Sequence, residues 1–294
     1  MANCSRRDFL KTGLAAAAFA GAGGFPLLAA RQTATDWVTL GKSDVKVTRL
    51  AFGTGTMAGK VQRELGQEQF TRLVRYAYDR GIRFFETAEG YHEMHRMLGV
   101  ALDGIPRDSY RLMSKVTTRE GVDPMQKIDE LRKLARTEYF DVMLLHWQHQ
   151  ATWPQDSMRW QDGIMEAQAK HAVVARGASV HGLPALRQVP GYKWLQVAMI
   201  RMNHKGTRMD AEDYDTEDLG NVSEVVAHVR QVRKEDMGVI SMKLVGEGAF
   251  TSREDRQAAM RYAFGTAGVN CVTVGYKNTV EIDEAIENVN LALA

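Results

Sequence analysis

Arg111-Leu112-Met113-Ser114-Lys115 and Val142-Met143-Leu144-Leu145-His146 are two short, mostly apolar runs, separated by a stretch in which Ile128, Leu131 and Ala135 recur at helical spacing. Two such runs bracketing a helix-period segment are the pattern of a βαβ unit with parallel strands. Each run closes on a side chain with chemistry to offer, Lys115 and His146. The pattern repeats outward in both directions. Strands are predicted at Leu50–Phe52, Arg83–Phe85, Arg111–Lys115, Val142–His146, Val173–Val180, Leu195–Met202, Val239–Leu244 and Cys271–Gly275. Helical periodicity falls between and after them, at Phe70, Leu73, Val74, Ala77 and Tyr78, and again at Met94, Met97, Leu98, Ala101 and Leu102. It recurs, more loosely, at Ile164, Ala167 and Gln168, and clearly at Ile282, Ala285, Ile286 and Val289. Asp79-Arg80-Gly81 is a helix stop feeding the second strand.

Eight strands, each followed by a helix, with no Pro/Ser-rich linker between them, predict a single α/β domain, a (β/α)8 TIM barrel. Ahead of it, Trp37 to Leu40 and Val45 to Val47 flank Gly41-Lys42-Ser43-Asp44 and predict an N-terminal β-hairpin. The rival is an open doubly wound sheet. No GxGxxG follows the first strand, which weakens a dinucleotide-binding Rossmann half.

Composition agrees with a packed globular chain. The 294 residues are 45% hydrophobic and 25% charged, which excludes a disordered chain and a small disulfide scaffold. A net charge of +2 gives no nucleic-acid footprint. Cys4 and Cys271 form no CxxC pair, so neither a zinc ribbon nor an iron–sulfur cluster is encoded.

The first thirty residues are an address. Ser5-Arg6-Arg7-Asp8-Phe9-Leu10-Lys11 precede Gly13 to Ala30, a run of almost only Ala, Gly, Leu and Phe. A charged region followed by a mildly apolar one is how an export signal is built, and the adjacent arginines resemble the twin-arginine (Tat) signal. A spanning anchor needs about 20 strongly apolar residues, and Gly21, Gly23, Gly24 and Pro26 interrupt this run. Residues 1–30 are therefore read as a Tat-type signal and 31–294 as the barrel domain. Leu28 makes a poor small-residue cleavage site, so retention as an anchor stays open. Removing residues 1–30 would leave about 264 residues, against the ~250 typical of a barrel, with a near-neutral charge and one cysteine.

In a barrel, groups at the C-terminal strand ends converge on one mouth. Those positions hold Glu86, Tyr91 just beyond it, Lys115 and His146. A phenol is a poor acid at neutral pH, but an adjacent ammonium favours the phenolate and is expected to lower its pKa. An imidazole can orient a carbonyl and a carboxylate can hold the lysine. Together these suit acid–base chemistry at a C–O centre.

The sequence resembles the aldo-keto reductase family over nearly all of Trp37 to Leu293. The resemblance is carried by Trp37-Val38-Thr39-Leu40-Gly41-Lys42-Ser43, Phe84-Phe85-Glu86-Thr87-Ala88-Glu89-Gly90-Tyr91, Met113-Ser114-Lys115-Val116, Leu144-Leu145-His146, Arg176-Gly177-Ala178-Ser179 and Val274-Gly275-Tyr276-Lys277-Asn278. It implies NADP(H), with NAD(H) as the lesser alternative. It also implies Tyr91 as proton donor, Lys115 as its pKa tuner and His146 as substrate orienter. The family's tetrad Asp is Glu86 here, one methylene longer, so a shifted and looser hold on Lys115 is expected. Met199 and Met202 stand where the family often has Gln and Tyr, while Asn203 matches the strand-end Asn. Ser179-Val180 replaces Ser-Asn, with His181 one step on. The resemblance assigns cofactor contacts to Ser179, Asn203, Lys243, Leu244 and Gly246. Lys277, Asn278, Glu281 and Glu284 complete that set at the adenosine end, where the last helix also begins.

The reading that follows is an exported NAD(P)-dependent oxidoreductase acting on a small carbonyl, sugar-like or polyol substrate. The Tat machinery is its transient partner and the periplasm its destination. Free NADP(H) is a cytoplasmic currency, so a folded export route implies a cofactor bound before export and released slowly. The alternative is a catalytically weak cofactor- or ligand-binding barrel, motivated by Glu86, Met199 and Met202. His92 and His95 are three apart, but no third ligand accompanies them and no metal is expected. Trp147, Trp153 and Trp160 suit either sugar stacking at the mouth or loop packing. His204 to Leu219 lacks any period and is read as a substrate-side loop or a solvated insertion.

Overall fold

The computed structural model describes residues 31–213 and 219–294; residues 1–30, read above as a signal, and part of the loop after the sixth barrel strand lie outside the described residues. Gln32–Ala294 forms one compact unit. It opens with strands β1 (Trp37–Thr39) and β2 (Lys46–Thr48), paired antiparallel with Trp37 opposite Thr48. The intervening turn needs Gly41 at φ +50, and a Cβ there would lie 2.2 Å from the Asp236 carbonyl oxygen.

Eight parallel strands then close into a barrel: β3 (Leu50–Gly53), β4 (Phe84–Glu86), β5 (Arg111–Thr117), β6 (Phe140–Gln148), β7 (Val173–Val180), β8 (Val197–Arg201), β9 (Gly238–Met242) and β10 (Cys271–Gly275). Closure is made by β10 pairing with β3, Val272 opposite Leu50 through Gly275 opposite Gly53. That pairing decides against the open sheet. All eight predicted strands exist; their ends differ. The strand predicted to run to Leu244 stops at Met242 because Lys243 adopts φ +59, outside extended geometry.

Period-2 alternation separates two cores. One side chain set, including Ala51, Phe84, Met113, Leu144, Met199 and Met242, points into the barrel and packs with Leu40, Val45 and Val47 of the hairpin, which plugs the N-terminal end. The alternate set packs outward against the helices. Helix α1 (Gly66–Asp79) buries Phe70, Leu73, Val74 and Ala77, as its periodicity predicts. Helix α2 (Met94–Ala101) buries Met94, Met97, Leu98 and Ala101. Helix α3 (Pro124–Leu134) starts on Asp123, whose carboxylate accepts the Gln126 N–H at 2.7 Å. Helices α4 (Met158–Ala169) and α5 (Val222–Lys234) continue the ring. Helix α6 (Arg253–Arg261) is too polar for its periodicity to stand out, and α7 (Thr279–Ala292) ends the chain.

Among the described residues no helix is long and apolar enough to cross a membrane, and no cluster of three or more His, Cys, Asp or Glu could hold a metal. His95 is buried against Ser114 Oγ at 2.7 Å, whereas His92 is exposed, so they do not face one site. Trp153 and Trp160 are buried, donating to Ala185 O and Arg119 O; of the three tryptophans only Trp147 stands exposed, next to His146.

Candidate active site at the barrel mouth

Inward-facing Phe84, Met113 and Leu144 lie in the barrel core. Two residues further along each strand, on the same face, stand Glu86, Lys115 and His146. The extended strands thus lift three polar groups onto the C-terminal rim without any special loop. Tyr91 comes from a single 3-10 turn (Glu89–Tyr91). Glu89 anchors that turn by accepting the Thr117 N–H at 3.0 Å and pairing with Arg119. The Tyr91 ring passes over Gly55: a Cβ there would lie 2.7 Å from Tyr91 Oη.

Lys115 is fully buried and spends its three donors on this cluster. It pairs with Glu86 and donates to Thr87 O at 3.1 Å and Tyr91 Oη at 3.2 Å. Glu86 is buried too, and its other oxygen accepts the Thr54 N–H at 3.3 Å. The added methylene of Glu86 therefore ends in direct contact with the lysine rather than in a loosened one. His146 meets the Tyr91 ring edge-on, centroids 5.4 Å apart.

The electrostatics correct one expectation. The Tyr91 phenol is held well above its ordinary pKa, chiefly by burial and then by the Glu86 carboxylate. The ammonium that should lower it is already neutralised by Glu86. Burial pushes Lys115 down despite that carboxylate. Burial, with Lys115 and Lys243 adding to it, pushes His146 well below 6.5, so its ring is neutral at physiological pH.

Two neighbouring cavities flank this cluster. The smaller is lined by Gly53, Gly55, Glu86, Tyr91, Met199, Met242, Lys243 and Leu244. The larger, about 430 Å³, is lined by Lys277, Glu281, Glu284, Arg256, Tyr276 and Asn288, among others. They share Thr56, Val245, Glu247, Val274 and Gly275.

The residues assigned to cofactor contact divide accordingly. Lys243, Leu244, Lys277, Glu281 and Glu284 line one or other cavity, while Ser179, Asn203, Gly246 and Asn278 line neither. Asn203 is buried and occupied locally: its amide donates to Thr207 O at 2.6 Å and accepts the N–H groups of Lys205 and Thr207. Asn278 caps α7 by accepting the Glu281 N–H at 3.0 Å, and Glu281 accepts the Lys277 N–H at 2.9 Å. Ser179 is buried 3.4 Å from His181 Nε2. Lys243 is paired with Glu247, and Glu284 is held by Arg256 Nη2 at 2.8 Å.

Arg256, Glu247 and His181 were not singled out as site residues. Arg256 lies in the polar α6 segment, where no motif or periodicity marks it, and only its pairing with Glu284 places it at the cavity. Glu247 follows Lys243 by four, a spacing that pairs opposite charges.

The sequence profile described as the aldo/keto reductase family matches residues 49–292, and that of the twin-arginine translocation pathway signal sequence matches residues 3–23. A Glycine max protein named "Probable aldo-keto reductase 1" is 27% identical over 122 residues, 37% of this chain and 35% of that protein. The chain thus aligns with about a third of the length of that curated relative. Among solved structures, a Pseudomonas aeruginosa chain provisionally designated an aldo-keto reductase superposes with a TM-score of 0.71 at 18% identity, over 90% of this chain and 99% of its own. The holo form of a Bacillus halodurans aldo-keto reductase gives 0.68 at 16% identity, over 88% and 95%. A Klebsiella pneumoniae aldo-keto reductase in complex with NADPH gives 0.65 at 15% identity, over 88% and 90%. At these identities the superpositions establish the shared fold.

Proposed function

Because the chain belongs to the aldo/keto reductase family, we propose that it is an exported NADP(H)-dependent oxidoreductase that interconverts a small carbonyl compound and its alcohol. The observation that carries this reading is the Lys115 ammonium held between Glu86 and the Tyr91 hydroxyl, with the neutral His146 ring against the same tyrosine.

The two joined cavities suit an extended dinucleotide. The larger offers Lys277 and Arg256 as cations and has buried polar atoms at Tyr276 Oη and Asn288 Oδ1 that lack partners. Gly53 and Gly275 keep the passage open at the strand ends: a Cβ at either would meet Thr273 or Thr56 side chains within 2.6 Å. Lys243 and Glu247 would face the middle of such a ligand. The bound dinucleotide supplies or accepts the hydride. Lys277 and Arg256 stand at the adenosine end paired with Glu281 and Glu284, so these four charges cancel, and NADP is chosen over NAD on family membership. The Klebsiella relative's NADPH agrees with this choice.

The chain's own residues handle the proton and the substrate. His146, neutral, donates a hydrogen bond to the carbonyl oxygen and orients it beside Tyr91 Oη. Tyr91 passes its proton to that oxygen during reduction and takes it back during oxidation. Lys115, fixed by Glu86 and Thr87, stabilises the tyrosinate formed at that moment. A phenol resting above its ordinary pKa stays protonated until substrate and cofactor complete the site, which is the form a reductase needs. The exposed Trp147 beside His146 supports a sugar or polyol substrate, whose ring face it could stack.

The signal match supports export through the Tat machinery to the periplasm, with the cofactor loaded before translocation. The first experiment is to purify residues 31–294 without added nucleotide, denature the protein and identify released small molecules by mass spectrometry. Recovery of NADP supports loaded export; an empty protein that also fails to bind NADPH refutes the cofactor assignment. Tyr91→Phe is expected to lower kcat by about 10²–10⁴-fold while keeping NADPH affinity. Equal turnover by both proteins would remove Tyr91 from the acid role and favour the binding-barrel alternative.

A further inference from the structure

We propose, on the reductase reading above, that His181 is a second substrate-binding imidazole and selects carbonyl compounds that carry an oxygen on the carbon next to the carbonyl. His181 directly follows β7 and continues the inward line of Ala175 and Ser179. Its backbone N–H donates to Gln148 O at 2.8 Å, which ties it to the end of β6, two residues from His146. The His146 and His181 ring centroids are 6.4 Å apart, and those of Tyr91 and His146 are 5.4 Å apart. His146 therefore has Tyr91 and His181 as its ring neighbours at the rim.

Of these three rings, Tyr91 also lines the smaller cavity. In the barrel order, β6 and β7 lie across from β10 and β3, whose ends line the smaller cavity. Neither imidazole lines either cavity. Ser179 Oγ is 3.4 Å from His181 Nε2. Among the described residues, His181 Nδ1 has no hydrogen-bond partner, and neither ring nitrogen of His146 has one.

The two imidazole centroids are 6.4 Å apart, so a substrate seated between them with its carbonyl oxygen on His146 presents an oxygen on the adjacent carbon, about 3 Å away, to His181. Burial keeps the His181 ring neutral, and a neutral imidazole offers one donor and one acceptor. It can therefore bond a hydroxyl either way. A plain ketone would leave that nitrogen unmatched in a half-buried site, which is how polar pockets reject analogues lacking one hydroxyl.

The test compares kcat/KM for 3-hydroxybutan-2-one with that for butan-2-one, using NADPH, in the parent protein, His181→Phe and His181→Asn. Cofactor Kd is followed in parallel by nucleotide fluorescence. The parent should prefer the hydroxyketone, His181→Phe should reduce that ratio about tenfold, and His181→Asn, which restores a hydrogen-bonding group, should keep most of it. The NADPH Kd should stay within about twofold in His181→Phe. An equal rate on both ketones in the parent overturns the proposal. So does a ratio unchanged by His181→Phe, or by the smaller apolar His181→Leu if the Phe variant does not fold. A tenfold rise in the NADPH Kd with the ratio intact would assign the ring to the nicotinamide instead. A parent that binds NADPH but reduces neither ketone nor any aldehyde overturns the reductase reading itself, and this proposal with it.

Discussion

Replacing Lys115 by Met separates the structural from the catalytic part of the Glu86–Lys115 pair. Lys115 is 0% exposed and Glu86 2% exposed, with Lys115 bonded to Glu86, Thr87 and Tyr91. Lys115→Met leaves the Glu86 carboxylate buried and without its cation, with the Thr54 N–H at 3.3 Å and the neutral Tyr91 hydroxyl as its remaining neighbours. Breaking such a pair from one side costs about 3–5 kcal/mol, roughly 6–20 °C in Tm for a domain of this size. The orphaned carboxylate should relieve itself by taking up a proton. Its folded pKa then lies above its unfolded one, so the folded variant binds more protons than the unfolded chain and gains stability relative to the parent as pH falls. Glu86→Gln added to Lys115→Met removes the buried charge and should recover most of the loss, since an amide can keep a bond at that position. Turnover should be lost in both, because neither holds a cation beside Tyr91. Urea unfolding of the three proteins at pH 7 and pH 5, with carbonyl reduction assayed alongside, measures all of this. A Lys115→Met protein within about 1 kcal/mol of the parent, or a double variant no more stable than the single one, would refute a tight, dry pair.

Two further outcomes follow from the same geometry. His95 is pushed down to about 3 by burial first and the nearby Lys115 second. The unfolded chain binds a proton below 6.5 that the folded ring refuses, so stability is full above pH 6.5 and falls as pH drops toward 3. Between pH 6.5 and 4.5 the parent should lose roughly 2–3 kcal/mol more than His95→Gln, read from denaturant titrations; equal losses would contradict the assignment. Gly55→Ala places a methyl 2.7 Å from Tyr91 Oη. The phenol must swing aside, so kcat should fall about 10²-fold with Tm almost unchanged, and unaltered turnover would show that Tyr91 works from another position.

Much of this site was legible because its placement follows from strand periodicity. Glu86, Lys115 and His146 stand at successive strand ends, and period-2 alternation from Phe84, Met113 and Leu144 puts each on the inner face. Tyr91 could be found because it follows Glu86 by five residues, across a turn short enough to return it to the same rim. Other roles depended on partners distant in sequence. Asn203 has the right type and position for a ligand contact, yet its amide is occupied by Thr207, Lys205 and Lys243 backbone groups. Asn278 and Glu281 sit beside the larger cavity, and both also cap the last helix. Arg256 reaches Glu284 from a helix whose polarity gave no periodic signal.

Local spacing by itself determined the strand count, the inward or outward sense of each strand residue, the hairpin and the four polar groups of the rim. It could do so because 2.0- and 3.6-residue periods are written within a few consecutive positions. Only the tertiary structure decided that the sheet closes, because the β10–β3 hydrogen bonds join segments more than two hundred residues apart. It also decided the direction in which the Tyr91 phenol is shifted. That direction depends on burial and on whether the neighbouring ammonium is already paired, and charge balance in a dry site is set by every group within a few ångströms, not by neighbours along the chain.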